Sequence, residues 1–349
     1  MSWLGVEGHD AVAEQFARAM ARGRLANSFV FCGEAGIGKR LFAERLAQSL
    51  LCLEPPDGFT ACGACASCRQ ARSLTHPDLH VVTRPEGRAN IPVDLLIGDS
   101  DHRMRTGFCY EIAMKPFLSR RKVGIIDDAD WLGVEGANSL LKTLEEPPLD
   151  SVLILIATSV DKQLPTIRSR CQTIRFAPLD DAAVARILRE NELVSETAEA
   201  EHLAAMGGGS VARAVAAGDE QLRTFRAQLF DRLGSGEWDT LALAADIGEF
   251  VGKAGREAAV RRERLGQIID MVIDFYRGAL RDGVGAERDG GERVGADTIG
   301  GDVEALERCL HRSFEAAAQL QRNVHLTTLV DAWIDDLGRI VRPDAAAPR

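Results

Sequence analysis

Three groups of residues in this chain have types and spacings suited to chemistry. The first is Gly33-Glu34-Ala35-Gly36-Ile37-Gly38-Lys39, a phosphate-loop pattern. Its glycines would let backbone N–H groups wrap an anion, and Lys39 would add a point charge. Where such loops carry Ser or Thr to hold Mg²⁺, this chain has Arg40. One metal ligand is therefore absent and a bulky cation stands in its place. ATP and Mg²⁺ are expected to bind weakly and react poorly, or the loop persists as a structural turn that binds nothing. The second group is Asp127 and Asp128, which follow the apolar run Lys122-Val123-Gly124-Ile125-Ile126. Asp127 would face Mg²⁺, and Asp128 would stand where an ATPase usually has a water-activating Glu, with a shorter reach. The third is Cys52, Cys62, Cys65 and Cys68, spaced C-x9-C-x2-C-x2-C, dense enough for one tetrahedral structural zinc site. No H-x-E precedes them, which argues against a zinc deaminase. Cys32, Cys109, Cys171 and Cys309 lack such spacing and are expected in the core.

These groups need elements to hold them. Ser28-Phe29-Val30-Phe31-Cys32 reads as a buried parallel strand feeding the glycine loop, and Arg40 to Leu51 as a helix with Leu41, Ala43, Leu46 and Leu50 on one face. Ala11, Phe16, Ala17 and Met20 predict a helix before that strand. Buried-strand runs recur at 79–82, 123–126, 152–157 and 173–176, with helical pattern between several of them. The fold class is therefore α/β, a parallel sheet with helices on both faces, ending near Pro178. From Leu179 the chain is Ala-rich and helical, with Ala183, Ile187 and Leu188 on one face and Gly207-Gly208-Gly209 between two segments. From Gln221 it stays helical, and Leu265, Ile268, Ile269, Val272, Phe275 and Tyr276 form one apolar stripe. The expected domains are 1–178, of nucleotide-binding type with the zinc module at 52–68; 179–220, small and helical; and 221–343, all-helical, with a mobile glycine-rich loop at 281–302.

Composition sets limits on these readings. At about 150 residues per domain, a chain of 349 residues predicts two or three. With 46% hydrophobic and 27% charged residues, disorder is excluded for most of the length. The longest strong apolar run, Val152 to Ala157, is far short of the roughly 20 residues that cross a bilayer. The segment MSWLGVEGHD has neither a basic n-region nor an apolar h-region, so a cytoplasmic location and no membrane partner are expected. A net charge of −10 argues against holding nucleic acid by bulk electrostatics, so any DNA contact must be local or shared with partners.

Asn138-Ser139-Leu140-Leu141-Lys142-Thr143-Leu144-Glu145-Glu146-Pro147-Pro148, with Leu164-Pro165-Thr166-Ile167-Arg168-Ser169-Arg170-Cys171, resembles bacterial clamp-loader subunits of the AAA+ class. The resemblance covers nearly the whole chain and is strongest from Lys122 to Arg170. It implies an AAA+ P-loop-type sheet domain, a helical lid and an all-helical collar for oligomerisation. It implies that Arg170 is an arginine finger acting in trans on ATP held by a neighbour, that Thr158 is the first sensor of nucleotide state, and that Arg213 is the second, within one residue of register. With Gly33, Gly36, Gly38, Lys39, Asp127 and Asp128 these sensors would form a degenerate nucleotide site. A Ser-Arg-Cys motif beside a degraded loop resembles the family's non-motor stator. Such a subunit completes a ring with tau/gamma and delta subunits, helps place the sliding clamp on primer-template DNA, and has weak or no ATPase of its own within the replicative polymerase holoenzyme. The alternatives are an ATP-hydrolysing tau/gamma-like motor or other AAA+ ATPase, and a zinc-organised scaffold without a nucleotide role. The polar stretch Gly98 to Arg105 departs from the family's apolar helix. His76-Pro77-Asp78 recurs in the family and reads here as an x-Pro turn.

Overall fold

Five short strands form the sheet on which the candidate site rests: β1 (Ser28–Cys32), β2 (Leu79–Val82), β3 (Lys122–Ile126), β4 (Ser151–Ala157) and β5 (Gln172–Arg175). In the computed structural model, which describes residues 3–85, 88, 90–236, 239–255, 257–283, 302–320 and 324–342, all pairings are parallel and the order is β2-β3-β4-β1-β5. Every residue of β1, β3 and β4 is buried, which is why these runs show no polar alternation. Since β4 separates β1 from β3, the carboxyl ends of β1 and β3 flank that of β4. Such a break in strand order opens a crevice where α/β proteins bind ligands.

The sheet lies between two apolar layers. On one face α1 (Asp10–Ala21), α2 (Lys39–Leu51) and α3 (Ala66–Arg72) cover Phe29, Phe31 and Ile154. On the other, α4 (Val93–Ile97), α5 (Phe108–Ala113), α6 (Val134–Glu145) and α7 (Pro165–Arg168) cover Val30, Leu153 and Leu155. The stripe of α2 is turned from the expected one. Leu41 stays exposed, while Phe42 is fully buried with its ring 5.8 Å from Phe31 and 5.1 Å from Phe176, because an aromatic cluster on that face takes the larger ring. In α1, likewise, Ala11 is exposed and Ala13 is buried with Phe16.

Three further helices, α8 (Asp181–Glu190), α9 (Thr197–Gly207) and α10 (Val211–Ala217), share a small core that includes Val184, Leu188, Leu203 and Ala214. They cluster with the sheet in one compact unit, Met1–Asp219. At Gly209, φ is +83° and a Cβ would lie 2.5 Å from that of Pro178, so the α9–α10 turn requires glycine. The second unit, Glu220–Arg349, contains α11 (Glu220–Ser235), α12 (Thr240–Lys253), α13 (Ala258–Gly283), α14 (Val303–Leu320) and α15 (Leu326–Val341). The whole expected stripe of α13 is buried, and fully buried Trp333 donates from Nε1 to Ser313 Oγ at 3.3 Å. Of the expected loop 281–302, residues 281–283 finish α13, and 284–301 lie outside the described residues.

His76-Pro77-Asp78 does more than turn the chain. Asp78 is 0% exposed. Its Oδ1 accepts from the Phe117 N–H at 2.6 Å, and Oδ2 accepts from those of Leu118 and Ser119, both at 2.8 Å. His76 Nδ1 accepts from the Asp78 N–H at 2.9 Å, so Nε2 carries the proton and faces Ser67 Oγ at 2.8 Å. Ser67 and Ser119 both donate to Leu51 O, at 2.6 and 2.8 Å. The end of α2, the start of α3 and the chain entering β3 are thereby tied together. Burial raises the Asp78 pKa, but the three amide donors outweigh it and hold the carboxyl below its ordinary value. The carboxylate thus contributes stability that is present above the unfolded pKa of about 3.9 and lost as pH falls through the folded value. Asp78→Asn should cost about 2 to 3 kcal/mol at pH 7 in urea unfolding. Its deficit against the wild type should shrink below about pH 4; a deficit independent of pH would contradict this role.

Candidate nucleotide and metal sites

Gly33, Gly36 and Gly38 have φ of +157°, +75° and +92°, and the loop they form carries the chain from β1 into α2, whose first residue is Lys39. Instead of standing open to an anion, the loop is engaged by the chain's own groups. Lys39 is only 6% exposed, and its Nζ donates to Gly33 O at 2.6 Å and to Glu34 O. Burial pulls the ammonium pKa below its ordinary value, against the opposing pull of Asp130 and Asp127. Arg40, the residue that replaces the metal-binding hydroxyl, donates from Nη1 to Asp127 Oδ2 at 3.0 Å and from Nε to Glu44 Oε1 at 3.0 Å. A guanidinium therefore lies against the carboxylate expected to face Mg²⁺. Asp128 has φ of +57°, and Arg84 Nε lies 4.0 Å from its Oδ2, with that guanidinium 4.1 Å over the Trp131 ring. Burial first, and then the charge of Asp127, raise the pKa of Asp128, weakening it further as a charged group.

Helix α10 closes the loop from above. Ser210 Oγ donates to Ala35 O at 2.8 Å, and the Val211 N–H donates to Gly36 O at 3.0 Å. A Cβ on Gly36 would lie 2.5 Å from the Cβ of Ala212. Arg213 reaches the loop, where its Nη2 is 2.7 Å from Glu34 Oε2 and its Nε donates to Gly207 O at 3.1 Å. From α1's side, the His9 ring nitrogen Nε2 bonds Ile37 O at 2.7 Å. Thr158, at the end of β4, donates from N and Oγ1 to Asp130 Oδ2 at 2.7 and 2.6 Å, and Gln163 Nε2 donates to Asp130 Oδ1 at 3.0 Å. Asp130 was missed in the sequence because the two preceding acids fill the expected roles; its signal is a third acid in the same run.

Arg170 lies on the same unit, between α7 and β5. Its Nη1 donates to Thr166 O at 2.9 Å and to Ser169 Oγ at 3.1 Å, and Nη2 is 2.6 Å from Glu145 Oε1.

The sulfur atoms of Cys52, Cys62, Cys65 and Cys68 all lie within 4.8 Å of one another. The Cys62 N–H points at Cys52 Sγ, that of Cys65 at Cys62 Sγ, and that of Cys68 at Cys65 Sγ, each at 3.4 Å. Such amide-to-sulfur bonds suit thiolates. The amides of Cys65 and Ala64 lower the Cys62 thiol to about 6, whereas burial raises Cys52 and Cys68. Four convergent sulfurs fit a metal ion, and the donor set is compatible with structural zinc.

The loop geometry yields a direct expectation for the isolated chain. Lys39→Ala should lower thermal stability without changing nucleotide binding, because Lys39 serves the loop's own carbonyls. Titration with Mg-ATP should give no saturable signal at about 0.1 mM, a concentration that fills ordinary nucleotide sites. Tight binding that Lys39→Ala abolishes would show an anion-ready loop.

The sequence family described as DNA polymerase III, delta subunit, matches residues 8–180. The delta' subunit of DNA polymerase III from Pseudomonas aeruginosa is 38% identical over 211 residues, covering 60% of this chain and 61% of that one. Its counterpart from Bacillus subtilis is 36% identical over 194 residues, 55% of each chain, so this chain spans little more than half the length of both relatives. The tau subunit from Escherichia coli is 30% identical over 256 residues, 71% of this chain and 36% of that one. Among solved structures, a gamma-subunit-related protein from Thermotoga maritima aligns over 95% of this chain and 99% of that one at 17% identity, with a TM-score of 0.36. Over its residues 8–180 the chain is thus similar to the delta' subunits of DNA polymerase III.

Proposed function

We propose that this chain is the non-motor stator of a bacterial clamp loader. It contributes Arg170 to ATP held by a neighbouring tau/gamma-type subunit, while its own phosphate loop stays empty during loading of the sliding clamp onto primer-template DNA. The observation that carries this reading is the Arg40–Asp127 ion pair, with Lys39 turned onto the loop's carbonyls. An ATPase needs an Mg²⁺ ligand set and an anion cradle at this point, and here both are taken by internal bonds. The same pair disfavours the tau/gamma-like motor despite the 30% identity to a tau subunit. Within this reading, 1–178 is the AAA+ domain, 179–220 its lid and 221–343 the collar that meets tau/gamma and delta in the cytoplasm. Thr158 and Arg213, bonded to Asp130 and Glu34, hold the site shut instead of sensing nucleotide. Arginine suits the trans role because its planar fork keeps its charge and can bridge two phosphate oxygens.

Loaders assembled with Arg170→Ala should remain intact and lose clamp- and DNA-stimulated ATP turnover at the adjacent site, by a factor approaching the roughly 10³ to 10⁵ that such fingers supply. Undiminished turnover and loading by a complex containing the variant would refute the assignment. For the cysteine site, metal analysis should return about one zinc per chain. Cys65→Ala should loosen the 52–72 region while leaving the sheet folded, since a structural zinc contributes about 10 kcal/mol or more to local folding. Zinc-free protein of unaltered stability would rule this out.

A further inference from the structure

Glu145 is the last residue of α6, and Glu146 follows it as the cap. Carboxylates at this end of a helix face unpaired carbonyls and the negative pole of the helix dipole, an unfavourable placement unless a cation answers it. The answering cation is Arg170, whose Nη2 lies 2.6 Å from Glu145 Oε1. Thr166 O and Ser169 Oγ hold Nη1 of the same guanidinium, so both of its terminal nitrogens are engaged within this chain. The two side chains are 33% and 49% exposed, arginine first, so the pair is open to water and exchangeable at small cost.

From this geometry we infer that Glu145 is a positioning residue for Arg170. It parks the guanidinium on α6 until the phosphates of a neighbour's nucleotide displace the carboxylate. The inference rests on the trans role of Arg170 proposed above and adds a competitor to it. A carboxylate and a polyphosphate seek the same fork, and the polyphosphate brings more charge. Binding of ATP next door then frees Glu145 at the end of α6, the helix that follows Asp127 after a single 3₁₀ turn (Ala129–Trp131) that carries Asp130.

The test uses loaders assembled with tau/gamma and delta, carrying Arg170→Ala, Glu145→Gln, both together, or Glu145→Asp. Glu145→Gln keeps the shape and removes the charge. It should lower the KM for ATP about two- to five-fold at low salt, the range an exposed ion pair commands, with kcat within about two-fold of the wild type. The gain should fade at about 1 M salt, where the Debye length is about 3 Å. Glu145→Asp should restore the wild-type KM, and the double variant should match Arg170→Ala. A KM unchanged or raised in Glu145→Gln, while Arg170→Ala still slows turnover, would overturn the parking role and leave the finger in place. Full turnover in Arg170→Ala would overturn the finger reading itself, and the parking role with it.

Discussion

A buried ammonium has to find acceptors, and the Lys39 ammonium finds them in its own loop. At 6% exposure it cannot remain solvated, and its bonds to Gly33 and Glu34 oxygens take two of the three donors that a phosphate-binding lysine can offer its ligand. The neighbouring substitution completes the change. Arg40 brings a permanent positive charge to within 3.0 Å of Asp127, so the carboxylate that would bind Mg²⁺ is already neutralised. With these two cations satisfied internally, Ser210 and Val211 also bond the loop backbone directly. The loop thus forms a rigid joint between the sheet and helices α8–α10.

That rigidity bears on what the unit offers outward. The strand order sets the carboxyl end of β4 between the ends of β1 and β3, and Asp130 fixes it there through Thr158 and Gln163. Arg170 lies a short α-helical turn beyond, on a segment anchored by Ile167 in the core. The trans role proposed for Arg170 needs a fixed base, since misplacement of a reacting group by about 1 Å can cost a hundred-fold in rate. At the opposite ends of these strands, Asp78 and His76 tie α2, α3 and the chain entering β3 into one network, which also anchors the cysteine module through Ser67.

Much of this was legible in the sequence, and the misses have physical causes. The strands were readable because a strand buried on both faces must be a continuous apolar run, and the loop because only glycines tolerate its backbone. Arg40 was visible as a departure, but its partner Asp127 lies 87 residues away and only the fold brings them together. Asp130 and Glu145 were hidden for the opposite reason: acids after a strand or at a helix end are common, and nothing local marks them as bonded. An x-Pro turn explains His76-Pro77-Asp78 in the sequence, but such a turn needs no carboxylate accepting three amides. In α2 the sequence pattern puts Leu41 on the buried face, and the aromatic cluster takes Phe42 there instead.

The central claim is that this chain gives a guanidinium to a neighbour's nucleotide and holds none itself. A density map of the assembled loader bound to a slowly hydrolysed ATP analogue tests it most directly. The account predicts an empty loop between Gly33 and Lys39, Arg40 still on Asp127, and the Arg170 guanidinium on the neighbour's phosphates. Nucleotide seated in this chain's own loop, with Arg170 far from any phosphate, would contradict it.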